Sequence, residues 1–247
     1  MTTILETERL YRRFGGVLAT NDVNIRFGEK RLKSIIGPNG AGKTTLVNVI
    51  TGRLPASSGR ILFRGKDITN RPPHSLIKMG ICRTFQITSI FLGLTTFENI
   101  RISRQAKKGG SFKIFSSRDS LVQVSEEAWK IIEDLELVDQ AGTLARNLAH
   151  GDQRLLEVGM ALAGEPELLF LDEPTAGMSP AETEHIAQMI KKLSEEISIV
   201  LIEHDMDVVM SISDEITVLH QGRIIAEGTP AVIRGDEKVK EAYLGHE

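Results

Sequence analysis

The sequence predicts an α/β fold in which one long helical stretch interrupts the alternation of strands and helices. A short apolar strand at residues 32–36 runs into a glycine-rich loop, and helical periodicity follows that loop. Continuous apolar runs at residues 168–171 and 199–202 are typical of strands that are buried on both faces of a parallel sheet. Residues 88–165 lack strand runs, and apolar residues recur there at helical spacing.

The N-terminal part of the chain predicts mainly strands. Residues 3–27 alternate weakly between polar and apolar, which predicts two strands around the glycine pair at residues 15–16. Further strands are predicted at residues 60–63 and 81–85, and the second of these ends at Gln86.

Helices are predicted after the glycine-rich loop and within the interrupting stretch. The first helix starts at Thr44, and Gly52 and Pro55 end it. Apolar residues at helical spacing over residues 128–138 predict a helix in the interrupting stretch. Residues 107–120 are rich in Lys, Ser and Gly without a clean period, so we expect a mobile surface loop there.

The last part of the chain returns to alternating strands and helices. A segment of helical period at residues 180–196 separates the two apolar strands. A hairpin-like pair of strands is expected at residues 215–220 and 223–227.

Composition and charge limit the function classes. The chain has 247 residues, 41% of them hydrophobic, and a formal net charge of −3 from 33 acidic and 30 basic residues, so nothing attracts it globally to nucleic acid or anionic lipid. Its apolar runs are far shorter than the about 20 residues that span a bilayer. The N-terminus lacks the pattern of a secretory signal, and the lone Cys82 suits a reducing compartment. We expect a cytoplasmic protein that binds no nucleic acid and reaches a membrane only through a protein partner.

The segment from Gly37 to Thr45 fits the phosphate-loop pattern G-x-x-x-x-G-K-[ST] between a predicted strand and a predicted helix. Glycines let the backbone N–H groups and the positive end of the helix dipole face phosphate oxygens. Lys43 adds a positive charge, and the hydroxyl of Thr44 is suited to ligate Mg²⁺. A plain glycine-rich turn would need the Lys-Thr pair, the strand and the helix to coincide by chance. The predicted nucleotide contacts in the loop are Asn39, Gly40, Ala41, Gly42, Lys43, Thr44 and Thr45.

The strand at residues 168–171 ends abruptly in Asp172 and Glu173. Such a strand delivers both carboxylates to the sheet edge at which α/β folds bind ligands. Beside a phosphate loop, Asp172 would hold the Mg²⁺ shell and Glu173 would polarise a water for attack on the γ-phosphate. A strand that ends in a solvated acidic turn is the alternative when the motif is considered alone.

The motifs of the chain and their order resemble those of ABC-transporter ATPases. Along the chain they are a phosphate loop, Gln86, the segment Leu148 to Asp152, Asp172-Glu173 and His204. The resemblance covers essentially the whole chain. It implies a RecA-like P-loop core with an antiparallel β-subdomain and an inserted α-helical subdomain, in one domain over residues 1–247. The core and β-subdomain would take residues 1–87 and 166–247, and the helical subdomain residues 88–165. ATP and Mg²⁺ are the implied cofactors.

The resemblance also assigns roles to single residues. Gln86 would reach Mg²⁺ or the attacking water, and His204 would contact the γ-phosphate. Phe14 would stack on adenine, with Tyr11 as its nearer rival. The implied catalytic residues are Lys43, Gln86, Glu173 and His204, and the implied metal-holding residues are Thr44, Gln86 and Asp172.

The segment that corresponds to the family signature departs from the usual Leu-Ser-Gly-Gly-Gln. After Leu148 it reads Ala149, His150, Gly151 and Asp152. In the family this segment closes over the γ-phosphate bound by a second copy, so these four residues are expected to act in trans. Ala149 offers only its backbone, which removes a hydrogen bond worth about 1.5–3 kcal/mol unless another donor such as His150 replaces it. The nearby loop also departs, because it has Ser179 where an aspartate is common.

Within the family, the pattern looks like the ATPases of bacterial branched-chain or hydrophobic amino-acid importers. The features are the run from Arg83 to Gln86, the run from Glu203 to Met206, and the tail sequence Ala-Tyr-Leu-Gly. The ATPases of lipopolysaccharide exporters and of urea or amide importers share the pattern, and a soluble ABC ATPase is the alternative outside transport. The resemblance implies integral-membrane permeases as partners and a second ATPase copy in a homodimer or a paralogous heterodimer. It places the chain on the inner face of the cell membrane.

Overall fold

The structure, a computed structural model, describes residues 2–84, 90–108 and 118–244, with side chains omitted at 118–121 and 244. Its strands are β1 (Thr3–Phe14), β2 (Val17–Val23), β3 (Arg26–Gly28), β4 (Leu32–Ile36), β5 (Ser58–Phe63), β6 (Lys66–Asp67), β7 (Ile81–Arg83), β8 (Leu168–Asp172), β9 (Ser198–Ile202), β10 (Glu215–His220) and β11 (Arg223–Gly228). Its α-helices are α1 (Lys43–Ile50), α2 (Pro73–Lys78), α3 (Thr96–Lys107), α4 (Arg118–Asp134), α5 (His150–Leu162), α6 (Pro180–Leu193), α7 (Met206–Ile212), α8 (Pro230–Gly235) and α9 (Glu237–Leu244). The predicted α/β class is confirmed.

A six-stranded sheet in the order β11-β10-β4-β9-β8-β7 forms the centre of the molecule. Every neighbouring pair in it is parallel except β10 with β11. Strands β4, β8 and β9 are buried along their whole length, as their continuous apolar sequences predict. Because these strands are parallel, the residues that follow them meet at one edge of the sheet.

A second, antiparallel sheet has the order β2-β1-β5-β6, and β3 also pairs with β1. Its inner face and the central sheet share one apolar core with α1, in which Phe27, Leu46, Ile50 and Phe170 are buried. This core holds the helix behind the glycine-rich loop between the two sheets. The two strands predicted for residues 3–27 are three in the structure, because β3 adds a short edge segment.

Helices α3, α4 and α5 pack together on the other side of the central sheet. They share a core with strands β8 and β9 that includes Ile100, Leu135, Leu156 and Leu171. Thr95 and Leu144 form an isolated antiparallel β-bridge. Between residues 90 and 162, the part of the chain that the structure describes contains no regular strand.

Several predicted boundaries are wrong. The loop expected over residues 107–120 is wrong at both ends, because α3 includes Lys107 and α4 already begins at Arg118; residues 109–117 lie outside the described part. Polar residues are common in the first and last turns of helices, and the apolar spacing that was used to predict helices does not detect them. The helix predicted to Glu196 ends at Leu193. The strand predicted to residue 85 ends at Arg83, beyond which only Thr84 is described.

Arg104 ties the helical part together. Its Nε lies 2.6 Å from Glu127 Oε2, one NH group donates to Ala163 O at 3.2 Å, and the other pairs with Glu165. We expect Arg104→Met to lower the free energy of unfolding by about 2 kcal/mol, because it removes these bonds while both carboxylates keep access to water. Urea denaturation measures the effect, and the same change at the less buried Arg101 of α3 serves as control. Equal losses from the two substitutions would contradict this role of Arg104.

Candidate functional site

The glycine-rich loop follows β4 at the carboxyl edge of the central sheet. Gly37 and Gly42 have φ angles of 150° and 101°. A Cβ atom would lie 2.1 Å from Leu219 O at Gly37 and 2.3 Å from Ala19 O at Gly42, so only glycine fits at either position. Gly42 is the N-cap residue of α1 and provides no side-chain cap, which leaves the first N–H groups of the helix for an anion.

Lys43 is the first residue of α1 and folds back over the loop. Its Nζ donates to Gly37 O at 2.5 Å and to Pro38 O at 3.1 Å. Burial lowers the pKa of Lys43, while the charges of Glu173 and Asp172 act to raise it. The ammonium therefore lies within the electric field of both carboxylates. A bound anion can replace the two carbonyl groups as its hydrogen-bond acceptor.

Asp172 ends β8 and is buried. Its Oδ2 lies 2.6 Å from an NH group of Arg83 at the end of the neighbouring strand β7. The other NH group of Arg83 donates to Asn48 Oδ1 of α1 at 2.6 Å. No sequence motif assigns Arg83 a role at the site; the signal for one is its position at the end of a strand that pairs with the strand of Asp172.

Glu173 and His204 approach each other beyond the ends of β8 and β9. The main-chain N–H of Glu173 donates to Ile202 O at 2.8 Å, and Glu173 has a φ angle of 48°. Its Oε1 lies 3.9 Å from His204 Nδ1, and the two side chains are 39% and 66% exposed. Both groups are therefore accessible to a ligand or to water at the same edge of the sheet.

Glu203 is a further member of this group, to which no sequence motif assigns a role. Its side chain is fully buried, lies 3.4 Å from His204 Nδ1 through Oε2, and accepts the N–H of His204 at 2.8 Å. Its other oxygen accepts the N–H of Thr175 at 3.2 Å and also the Thr175 hydroxyl. A buried carboxylate thus fixes the start of the segment that carries His204 relative to the loop after Glu173.

The aromatic candidates lie on the strand that ends near the phosphate loop. Phe14 ends β1 and is 43% exposed, with the Arg12 guanidinium carbon 4.4 Å from its ring centroid. The next strand, β2, brings Ala19 against Gly42 of the loop. Tyr11 lies earlier in β1, opposite Ser58.

The signature residues lie at the start of α5, where Ala149 is the N-cap residue and offers no side-chain cap. They contact the segment after Glu173 in their own chain: His150 Nε2 lies 3.3 Å from Ala176 O. A Cβ atom on Gly151 would lie 3.1 Å from Glu182 Oε1. Burial and then the charge of Glu182 raise the pKa of Asp152, whereas His185 acts to lower it.

Ser179, which stands where the family commonly has an aspartate, caps a helix. It is the N-cap residue of α6, where its hydroxyl accepts the N–H of Glu182 and the Glu182 carboxylate accepts the N–H of Ser179. This capping box fixes the end of the loop that begins at Glu173.

Gln86 lies in residues 85–89, outside the described residues, so its predicted place beside the metal stays a prediction.

The oxygen ligands at the sheet edge suit Mg²⁺ that is bound together with nucleotide phosphates. Thr44 offers a hydroxyl and Asp172 a carboxylate, which are the hard oxygen ligands that Mg²⁺ prefers. Within the described ranges, no group of three or more His, Cys, Asp or Glu residues could hold a metal ion. Mg²⁺ takes few ligands from a protein and completes its shell with phosphate oxygens and water, so this small donor set fits it.

None of the helices in the described part of the chain combines the length and apolar character needed to span a membrane.

Comparison with known proteins places these features in a family. The family model described as "ABC transporter" matches residues 20–176, and the one described as "Branched-chain amino acid ATP-binding cassette transporter" matches residues 223–247. The chain is similar to the high-affinity branched-chain amino acid transport ATP-binding proteins BraF of Pseudomonas aeruginosa, at 42% identity, and LivG of Escherichia coli K12, at 41%; each match covers 98% of both chains.

Solved structures agree with the sequence relatives. An ATP-binding cassette of an ABC transporter in its ADP conformation has a TM-score of 0.87 and 34% identity, with 100% of both chains covered. A nucleotide-free cassette from an ABC transporter has a TM-score of 0.84 and 36% identity, covering 98% of this chain and 99% of its own. Both resemble this chain over its full fold, including the antiparallel sheet and the helical part.

Proposed function

Because the chain belongs to the ABC transporter family, we propose that it hydrolyses ATP to energise the uptake of branched-chain or other hydrophobic amino acids. It is an ABC transporter ATP-binding subunit, homologous to branched-chain amino acid transport ATPases. The observation that carries the proposal is the meeting of Lys43, Asp172, Glu173 and His204 at one edge of the central sheet.

ATP binding rests on the loop after β4. The phosphates would lie on the N–H groups at the start of α1, and Lys43 would leave the carbonyl groups of Gly37 and Pro38 for phosphate oxygens. Phe14, exposed at the end of β1, would stack on the adenine. The solved relative in its ADP conformation supports nucleotide binding at this fold.

Thr44 and Asp172 would hold Mg²⁺, together with Gln86 as the resemblance implies. When bound, the ion neutralises negative charge that develops on the phosphates. The protein's own contribution is to keep Asp172 at the end of a buried strand, where its charge acts on Lys43 at the start of α1.

Hydrolysis is assigned to Glu173, with His204 beside it. A carboxylate that is accessible, and whose main chain is anchored to Ile202 O, can hold a water in line with the γ-phosphate and accept its proton. His204, whose Nδ1 lies 3.9 Å from Glu173 Oε1, would contact the γ-phosphate in the same site, and buried Glu203 accepts its main-chain N–H.

A second copy would complete the site. The start of α5 presents the N–H groups after Ala149 without a side-chain cap, so it can bind the γ-phosphate held by another ATPase chain. His150 is partly engaged with Ala176 O of its own chain, which leaves the backbone as the main donor of this segment. The second copy is either identical or a paralogue.

The permease would dock on the groove between the central sheet and the helical part. A cavity of about 460 Å³ lies there, mainly apolar, and its lining includes Ile77, Ile81, Cys82, Ala106, Met160 and Ala161. A groove of this kind fits an apolar segment of a membrane partner. In this proposal the chain stays in the cytoplasm and is held at the inner face of the membrane by the permease.

Charge placed in this groove tests the docking surface. Ile77 is 44% exposed at the groove, and we expect Ile77→Glu to abolish co-purification with the permease, because docking of an apolar segment would remove the new carboxylate from water. The matched control is Val138→Glu, at a residue that is 51% exposed and does not line the groove. ATP binding by the isolated variants should equal that of the wild type. Retention of the permease by Ile77→Glu would contradict docking at this surface.

Uptake by cells tests the transport assignment. Deletion of the gene should abolish high-affinity uptake of labelled leucine, and the wild-type gene should restore it. Loss of urea uptake or of lipopolysaccharide at the cell surface instead would favour the alternative transporters, and a defect confined to soluble processes would favour a non-transport ATPase.

A further inference from the structure

Arg83 joins the carboxylate that would hold the metal to the helix that follows the phosphate loop. One NH group lies 2.6 Å from Asp172 Oδ2, and the other lies 2.6 Å from Asn48 Oδ1. The side chains of Arg83 and Asp172 are 7% and 1% exposed. The planar guanidinium is therefore fixed between the end of β8 and the side of α1.

This contact lies beside the expected metal-holding oxygens. Thr44 and Asn48 are four residues apart in α1, so they share one face of the helix. By binding Asn48 and Asp172 together, Arg83 holds the carboxylate toward the face that carries the Thr44 hydroxyl. A permanent positive charge thus lies at the place where a divalent cation is expected.

Asp172 needs such a partner whenever no cation is bound. A buried carboxylate without a counter-charge is strongly unfavourable. Lys43 also lies near it but gives its hydrogen bonds to Gly37 O and Pro38 O. Arg53 is near as well: burial and the charge of Arg83 lower its pKa, and the charge of Asp172 acts to raise it. Arg83 is the cation in direct contact with Asp172 in the described part of the chain.

The pairing leaves one donor of Arg83 unused. Arg83 Nε is buried and has no hydrogen-bond acceptor among the described residues. The two NH groups of Arg83 bind Asn48 and Asp172, which lie next to the proposed metal position.

We propose that Arg83 is a positioning residue that acts as the counter-ion of Asp172 in the metal-free protein and competes with Mg²⁺ for that carboxylate. The inference rests on the proposed function, since it assumes that Asp172 helps to hold the metal with ATP. Like charges repel, and the repulsion is screened little at a buried site. Arg83 therefore raises the Mg²⁺ concentration at which the nucleotide complex forms.

The test is a titration with Mg²⁺ of the metal-free protein, in excess over a fluorescent ATP analogue. For Arg83→Gln we expect the half-saturating Mg²⁺ concentration to fall about tenfold, because the competing charge is gone. Arg83→Lys keeps the charge and should stay within about twofold of the wild type. Damage to the fold would weaken Mg²⁺ binding, so tighter binding separates competition from a merely structural role. The control Arg64→Gln removes an exposed arginine that pairs with Glu29 and Glu167, and it should leave the titration unchanged.

Thermal unfolding in EDTA gives a second measurement. Arg83→Gln should lower the melting temperature, because Asp172 is left buried without its partner, and adding Asp172→Asn should recover part of the loss. A half-saturating concentration that is unchanged or raised in Arg83→Gln overturns the inference, as does a double variant that melts below Arg83→Gln. A wild type that binds no nucleotide would overturn the proposed function, and this inference with it.

Discussion

Glu173→Gln is expected to lower ATP turnover at least about a hundredfold while ATP affinity stays close to that of the wild type. Glutamine has the shape of glutamate but cannot accept a proton from the attacking water. The residue is partly exposed, and its place is set by the main-chain bond to Ile202 O, so the substitution should not disturb the loop. Release of inorganic phosphate measures turnover, and equilibrium binding of an ATP analogue measures affinity.

The matched control is Glu195→Gln, an exposed carboxylate that follows α6. It should hydrolyse ATP at the wild-type rate. If Glu173→Gln turned over ATP as fast as this control, Glu173 would not be the residue that activates water, and the chain would have to use another base.

Lys43→Ala is expected to weaken ATP binding about 10- to 100-fold. The ammonium is placed at the start of α1, where it can exchange two carbonyl partners for phosphate oxygens, and charge-assisted bonds of this kind contribute about 1.5–3 kcal/mol. Titration calorimetry measures the affinity. Lys192→Ala, at an exposed position of α6, should bind ATP as the wild type does, and equal binding by Lys43→Ala would contradict a phosphate-binding role.

The pH dependence of ATP affinity is a second test of the phosphate-binding role of Lys43. Burial lowers the pKa of Lys43 from the ordinary value of 10.5, against the opposing charges of Glu173 and Asp172. The charged ammonium binds phosphate, so its contribution is present below the lowered pKa and is lost as the pH rises through it. ATP affinity should therefore decline at a lower pH than an ordinary lysine would produce, and Lys43→Ala should lack that decline.

The sequence predicts the central strands because burial on both faces leaves an unmistakable apolar run, as in β8 and β9. Short helices are harder. Helices α7 and α8 have seven and six residues, which is too few turns for a clear apolar period, and neither was predicted. The first residues of α4 are polar, which is typical of a loop, so the sequence alone does not predict where this helix begins. The division into residues 1–87, 88–165 and 166–247 stays a prediction.

In the candidate site, too, some residues could be predicted from the sequence and others could not. Motifs that are contiguous in sequence, such as the loop from Gly37 to Thr45 and the pair Asp172-Glu173, could be recognised from residue types and flanking strands. Arg83 and Glu203 could not be assigned roles, because their partners lie far away in the chain and are brought near only by the order of strands in the sheet. The order of the motifs predicts the family, and the runs from Arg83 to Gln86 and from Glu203 to Met206, with the tail, predict the likeness to branched-chain amino acid ATPases; the relatives confirm both. The roles of the individual site residues stay predictions.

Transport by the reconstituted complex tests the central claim most directly. The chain would be purified with its permease and placed in liposomes that enclose ATP and Mg²⁺, with a leucine-binding receptor and labelled leucine outside. We expect leucine to accumulate with the wild type and accumulation to be lost with Glu173→Gln. Equal accumulation with both proteins, or accumulation by the wild type without enclosed ATP, would contradict the central claim.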